Sequence, residues 1–258
     1  MRMPTVSVIV PTYNSASRGL LTIEAIRNQT FVDFECIVVD DFSTDETFQL
    51  VQQHISSDAR FVIIKNSAGR NSGPGLCRSD GMRRSSGRFL AFCDSDDIWH
   101  PKKLQNQLAF MSANTAAISH TAYRRVSASS EKELGIINAR RTVTFSDMLR
   151  SNWIGTSTAM IDTHWAPQLE MPSLRMRQDY AYWLMLTKLG FDSHGLDEPL
   201  VDYYVTPNSI SSNKIQAAIS HVHVLVKFGK PSLLKLPFLF LFYVFKAVQK
   251  RSESAKHP

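Results

Sequence analysis

The chain has 258 residues, of which 43% are hydrophobic and 20% charged, a composition that excludes intrinsic disorder and collagen-like or disulfide-scaffold classes. Its 29 Lys and Arg against 23 Asp and Glu give a formal charge of +6, a mild excess whose meaning depends on where it lies. Three cysteines, Cys36, Cys77 and Cys93, are too few for a disulfide framework and are expected as free thiols in a reducing compartment.

Met1-Arg2-Met3-Pro4 leads straight into a strand-like run, without the apolar core and small-residue cleavage site of a secretory signal, so none is expected. Thr5 to Val10 is β-branched and apolar and ends at Pro11-Thr12-Tyr13-Asn14. Leu20, Leu21, Ile23 and Ile26 then fall at helical spacing, giving strand, loop and helix. Phe34 to Val39 repeats the pattern and closes with Asp40-Asp41-Phe42-Ser43. Ser43 and Glu46 have capping-box spacing ahead of Phe48, Val51 and Ile55. Phe61 to Ile64 predicts a third strand, followed by a loop with Gly69, Gly73, Pro74 and Gly75 and a helix through Arg78 to Arg84. Phe89 to Cys93 predicts a fourth strand.

Strands alternating with helices imply crossover connections and a mainly parallel sheet flanked by helices on both faces. Ligands of such sheets sit at the carboxyl ends of the strands. Pro11 to Asn14, Asp40 to Ser43, and Asp94 to Asp97 all occupy that edge. After Pro101, Leu104, Leu108 and Met111 predict a helix, whereas 112–150, with Ser-rich and Arg-rich loops, shows no clear element. Trp153 to Ile161 reads as a partly apolar strand. Tyr180, Trp183, Leu184 and Leu189 mark a helix ended by Gly190, and Pro199 to Val205 the last strand. Composition shifts near residue 222, which divides the chain into a domain at 1–221 and a tail at 222–258.

Asp94-Ser95-Asp96-Asp97 places three carboxylates in a turn after a buried strand. Oxygen ligands in this number suit Mg2+ or Mn2+, hard cations that would neutralise a diphosphate. The competing reading has Asp97 capping the helix near Pro101 while the other two are solvated. Asp40 and Asp41 are read either as an Asx-turn with loop solvation or as acceptors for the N–H of a nucleobase. Asp179, just before an aromatic helix, alone reads as a charge favoured by the helix dipole. No Gly-x-Gly-x-x-Gly follows the first strand and no Walker loop occurs, so the usual dinucleotide and NTPase readings lose their support. His221 and His223, two apart, fall on different helix faces and carry little weight as a zinc pair. Phosphate handling would then rest on a metal and arginine, with Arg78 the candidate.

Taken together, Val6-Ser-Val-Ile-Val-Pro-Thr-Tyr-Asn14, Gln29-Thr-Phe-Val-Asp-Phe34, Val38-Val-Asp-Asp-Phe-Ser-Thr-Asp45, Gly87-Arg-Phe-Leu-Ala-Phe-Cys-Asp-Ser-Asp-Asp-Ile-Trp99 and Gln178-Asp179-Tyr form a recognisable series. The chain resembles the family-2 glycosyltransferases over about residues 4–211. The resemblance implies an inverting enzyme of the Rossmann-like GT-A fold that uses a nucleotide-sugar donor and Mn2+ or Mg2+. Its nucleotide-binding half would be about 4–100 and its acceptor half about 101–221. Carried over, Pro11, Thr12 and Tyr13 would line the nucleoside pocket, Asp41 would accept from the base ring, Arg78 would lie near the donor nucleotide and Asp94 would face the ribose. Asp96 would be the metal ligand and Asp179 the general base. Trp153, Gly155 and Thr156 are the acceptor candidates, Trp153 being equally readable as core.

Three departures from the family pattern stand out. Cys77-Arg78-Ser79-Asp80-Gly81 lacks the Asn partner of the arginine, Tyr203 to Ser209 lacks the usual basic residues, and Gln178 replaces the acidic residue before the base.

The tail concentrates the charge. Residues 227–258 hold seven Lys and Arg against Glu253 alone, a net +6, which leaves 22 residues of each sign in 1–226. Between those cations Leu236 to Phe245 is apolar on every side and too short to span a bilayer. Basic flanks around an apolar aromatic block at 227–251 fit docking on the inner face of the cytoplasmic membrane, the competing reading being packing on the domain or in a dimer. A lipid-linked saccharide acceptor in cell-surface glycan synthesis is what the family implies. A non-catalytic nucleotide-sugar-binding module would keep the Asp41 pocket but has no need of both Asp96 and Asp179. Nucleic-acid binding would need a cationic stripe with exposed aromatics, which this block is not.

Overall fold

The computed structural model describes residues 3–206 and 214–232, with 234, 236–239 and 241–242 beyond them. Pro207, Asn208, Ser209 and the tail past 242 lie outside the described residues.

Three βα units and a fourth strand open the chain: β1 (Val6–Thr12), α1 (Ala16–Arg27), β2 (Phe34–Asp40), α2 (Thr47–Ile55), β3 (Phe61–Lys65), α3 (Pro74–Arg84) and β4 (Phe89–Phe92). These strands pair in parallel in the order β3-β2-β1-β4. Every residue of β1 is buried, which is why its sequence is mainly apolar, broken only by the small Ser7 and Thr12, rather than alternating. Val8 and Val10 enter one core while Ile9 enters the other, so the sheet separates two apolar layers. Pro11 lacks a backbone donor, and it is tolerated because pairing with β4 has ended at Ile9↔Phe92. Gly81 lets α3 lie directly on β1, since a Cβ there would sit 2.5 Å from the Ile9 Cγ2 atom.

Past β4 the sheet becomes mixed. β5 (Ile98–Trp99), α4 (Lys103–Asn114), β6 (Ile118–Ser127), β7 (Glu133–Ile137), β8 (Thr142–Val143), α5 (Phe145–Arg150), β9 (Met160–Asp162), α6 (Gln178–Lys188) and β10 (Ser193–Val205) complete it. β9 joins β4 and β6 antiparallel, β6 pairs β10 in parallel, and β5, β7 and β8 add antiparallel edges. One ten-stranded sheet thus runs through both halves.

Two expected elements differ. The strand expected at Trp153 to Ile161 is a 3-10 turn at Thr156–Thr158 followed by only three strand residues. The Thr156 and Ser157 hydroxyls bond to side chains there rather than leaving the backbone to a ladder. The Ser43/Glu46 capping box is absent because Ser43 donates its hydroxyl to Asp40, and α2 starts at Thr47 with no side-chain cap. Asp40 therefore closes an Asx-type turn.

α6 is buried on nearly every side, with Tyr180, Trp183 and Leu184 at 0% exposure, and its Tyr182 and Trp183 rings meet Phe92 of β4 edge-on. α7 (Lys214–Val224) and the π-turn Leu225–Gly229 dock on it. His221 stacks on Tyr180 at 5.0 Å, and Arg177 Nε donates to the Ala217 carbonyl at 3.0 Å. Val224 and Leu225 belong to the core, so packed structure continues past the composition shift at 222. Beyond it, Leu234, Phe238 and Leu241 are exposed. Among the described residues no helix is long and apolar enough to cross a membrane.

Candidate active site

The order β3-β2-β1-β4 reverses direction between β1 and β4, and the crevice beyond that switch point is where such sheets take ligands. The carboxyl ends of both strands feed it. Ser15 after β1 donates to Ser95 after β4 at 3.1 Å, tying the two loops together. A cavity of about 620 Å³ lies elsewhere, lined by Phe31, Arg88 and Trp165, while the switch point opens into one of about 610 Å³. Pro11, Thr12, Tyr13, Asp41, Arg78, Asp94 and Asp96 all line the latter, and Tyr13 is 44% exposed with its ring available.

Asp41 is buried and fully engaged. Its Oδ1 accepts from Asn66 Nδ2 and Ser72 N, its Oδ2 from Asn71 Nδ2 and Gly73 N, which uses the four acceptor positions of a carboxylate. It thereby folds the 66–73 loop, with Gly73 at φ 90°, against the cavity.

Arg78 is 3% exposed and donates to Asp94 Oδ1, with its Nε buried and without a partner. Burial opposes its charge, but Asp94 and Asp179 outweigh that and hold its pKa above the ordinary value. Burial, and then the Asp94 charge, push the Asp96 carboxyl up to about 6. Asp97 neither caps α4 nor meets solvent. It is fully buried and accepts from Ser157 Oγ at 2.5 Å and Tyr204 N at 3.2 Å, and burial, then the charges of Asp96 and Asp94, push its pKa well above the usual carboxylate range. Ser157 Oγ also accepts from Asp94 N at 3.0 Å, and Trp99 Nε1 donates to the Ser157 carbonyl. The carboxylate turn is thus bolted to the 3-10 turn that follows α5.

A second cavity of about 440 Å³ opens beside the first, and Asp94 lines both. Asp179, Trp153, Gly155 and Thr156 line this second cavity, while Gln178, the preceding residue, lines the first. Asp179 Oδ2 accepts from Asn152 Nδ2 at 3.1 Å and Thr156 Oγ1 at 3.3 Å, which fixes its direction. Trp153 is half-buried. Its indole N–H donates to the Asp147 carbonyl at 3.1 Å, and Arg140 lies over its ring at 4.6 Å.

A family model described as Glycosyl transferase family 2 matches residues 7–169. The chain belongs to this family. It is 38% identical over 248 residues to the putative teichuronic acid biosynthesis glycosyltransferase TuaG of Bacillus subtilis (strain 168), covering 96% of this chain and 98% of that one. It is 29% identical over 247 residues to the UDP-Glc:alpha-D-GlcNAc-diphosphoundecaprenol beta-1,3-glucosyltransferase WfaP of Escherichia coli, covering 94% of each. Its GT-A fold is similar to that of the mannosyltransferase PcManGT from Pyrobaculum calidifontis, solved in complex with GDP-Man and Mn2+. The TM-score is 0.65 at 18% identity, over 93% of this chain and 69% of that one.

In this family-2 glycosyltransferase several site residues carry no sequence motif. Arg18 and Arg175 line the first cavity and supply basic groups that the Tyr203 to Ser209 segment lacks. Arg18 sits over the Tyr204 ring at 4.0 Å and pairs with Glu131 at 3.3 Å. Its signal was weak: Ser15, Arg18 and Thr22 share a helix face, but nothing local says that this face borders a ligand. Asn152 and Ser157 are equally silent, being short polar residues in a segment that reads as strand.

Proposed function

We propose that this chain is an inverting glycosyltransferase that moves a sugar from a nucleoside-diphosphate donor to a hydroxyl of a lipid-linked saccharide in cell-surface glycan biosynthesis. The observation that carries this reading is the junction of two cavities at Asp94, with Arg78 and Asp96 on one side and Asp179 on the other. A nucleotide in the first cavity would meet Tyr13 at the base and Arg78, Arg18 and Arg175 at the phosphates. Asp41 would read the base ring once the amide of Asn71, an exposed side chain, gives up its place on Oδ2.

Asp179, oriented by Asn152 and Thr156, takes the proton from the acceptor hydroxyl, and the hydroxyl oxygen displaces the diphosphate from the opposite face of the sugar. One displacement inverts the anomeric carbon and needs no covalent nucleophile. Asp96, whose carboxyl is pushed up by burial and by the neighbouring Asp94 charge, fits a hard divalent cation that would offset that charge. Asp96 would hold Mn2+ or Mg2+, which when bound supplies charge neutralisation for the departing diphosphate. The relative named for a diphosphoundecaprenol acceptor supports the lipid-linked class. Along the one sheet, the nucleotide half would be about 4–100 and the acceptor half about 101–221. Exposed Val226, Leu234, Phe238 and Leu241 near Lys227 and Lys230 would rest the enzyme on the inner face of the cytoplasmic membrane, with the cations of 227–251 facing anionic lipid.

The test is a panel of nucleotide-sugars screened with and without Mn2+ for thermal stabilisation, followed by turnover of the best donor. Asp179→Asn should lower transfer by roughly 100- to 10,000-fold, the weight of a general base, while nucleotide binding persists. Unchanged turnover in that variant excludes the assignment.

A further inference from the structure

The second cavity contains an arginine with no ion-pair partner among the described residues. Along β6 the side chains alternate, so Tyr123 and Arg125 face this cavity while Arg124 faces away. Arg124 has its carboxylates, Asp202 at 2.8 Å and Glu133 at 3.7 Å. The Arg125 guanidinium is half-buried and makes no hydrogen bond or ion pair among the described residues. β10 repeats the arrangement: Val201 and Tyr203 line the cavity, and Asp202 turns to Arg124 on the other face.

No carboxylate that lines the cavity pairs with it. Asp94 is committed to Arg78, and Asp179 is held by Asn152 and Thr156. Arg140 adds a second cation at the rim, shared between Asp147 at 3.2 Å and the Trp153 ring. A half-buried guanidinium presents five N–H donors in a rigid fork and is desolvated at a cost unless an acceptor arrives. A tetrahedral phosphoryl or a carboxylate satisfies that fork with two parallel bonds, which a neutral hydroxyl does not.

We infer that the acceptor cavity selects a saccharide bearing an anionic group, a phosphoryl or a carboxylate, which Arg125 binds while Asp179 addresses the hydroxyl. This rests on the reading of the second cavity as the acceptor site. The anion has two possible sources, the diphosphate that links a sugar to a lipid or the carboxylate of a uronic acid.

Three soluble probes separate them: an octyl hexosyl diphosphate, an octyl hexuronide and an octyl hexoside. Each is titrated calorimetrically into wild type, Arg125→Gln, Arg125→Lys and Arg124→Gln, with UDP and Mn2+ present to fill the donor cavity. Wild type should bind one anionic probe more tightly than the neutral one by roughly 10- to 100-fold, and Arg125→Gln should abolish that preference. Arg125→Lys should restore part of it, and Arg124→Gln, on the opposite face of the same strand, should keep it. The preferred probe identifies the source of the anion. Equal binding of all three probes by wild type, or a preference that survives in Arg125→Gln, overturns the inference. Because binding is read without turnover, a failure of sugar transfer would count against the proposed activity and leave this result separate.

Discussion

Replacing Lys103 with methionine isolates one charge whose cost is set by the fold. Lys103 has no exposed surface, its Nζ has no hydrogen-bond partner, and the ammonium lies 3.7 Å from the Trp99 ring centroid, behind the carboxylate turn. Burial lowers its pKa from 10.5 to about 7. Between those values the unfolded chain binds the proton and the native state does not, so this group makes stability rise with pH from about 7 to about 10.5. At about 1.4 kcal/mol per pKa unit the full effect is roughly 5 kcal/mol. The Trp99 face returns roughly 2 kcal/mol to the charged form, so the net lies near 3 to 5 kcal/mol. Methionine has similar length and no polar atom. Lys103→Met should therefore be more stable than wild type by about 3 kcal/mol near pH 6, and the gap should close toward pH 10. Guanidinium unfolding of both proteins at several pH values, without ligand, measures the gap directly. A gap that does not change with pH, or a variant less stable than wild type at pH 6, refutes the reasoning.

Other consequences follow from single contacts. Thr156→Val removes one of the two donors on Asp179 Oδ2 and should lower kcat about tenfold with donor KM unchanged, read by steady-state kinetics; a change confined to donor KM would place Thr156 elsewhere in the cycle. Asn71→Ala frees one acceptor position of Asp41 and should strengthen nucleotide binding a few-fold by calorimetry, whereas weaker binding would show that the amide does not need to move. Gly81→Ala forces a methyl to 2.5 Å from the stiff, buried Ile9 side chain and should cost roughly 1 to 3 kcal/mol in denaturant unfolding. An unchanged midpoint would mean that α3 slides freely on β1.

The first half of the fold was legible because buried parallel strands write themselves as largely apolar runs, as in Val6 to Val10 and Phe34 to Val39 with only Ser7 and Glu35 polar. In the second half the helices α4 and α6 and the strand at Pro199 to Val205 were legible, but β6 and the start of β10 were not. β6 carries Arg124 and Arg125 at its exit, and β10 begins with Ser193, His194 and Gly195 and shifts register twice around Pro199. These stretches lack a strand-like composition and are held by their neighbours instead. The carboxylate turn could be read as a ligand site from its three acids, but the separation of roles within it could not. Asp97 differs from Asp96 because it is fully buried where Ser157, 60 residues away in sequence, and Tyr204, 107 away, reach it. Arg18, Arg175 and Arg125 were hidden for the same reason, since a lone arginine means nothing until the chain has folded around it.

The start of α6 has a consequence for how this enzyme can diversify. Successive helical residues diverge by about 100°, and here that angle sends Gln178 into one chamber and Asp179 into its neighbour. Under the proposed roles, donor choice would drift through substitutions at 178 while Asp179 keeps its aim, and acceptor choice would drift through the cavity-facing positions of β6 and β10. Length at this point is a different matter. A single inserted residue ahead of Gln178 would rotate both groups together and leave each facing the wrong substrate, so variation in point chemistry is tolerated where variation in spacing is not.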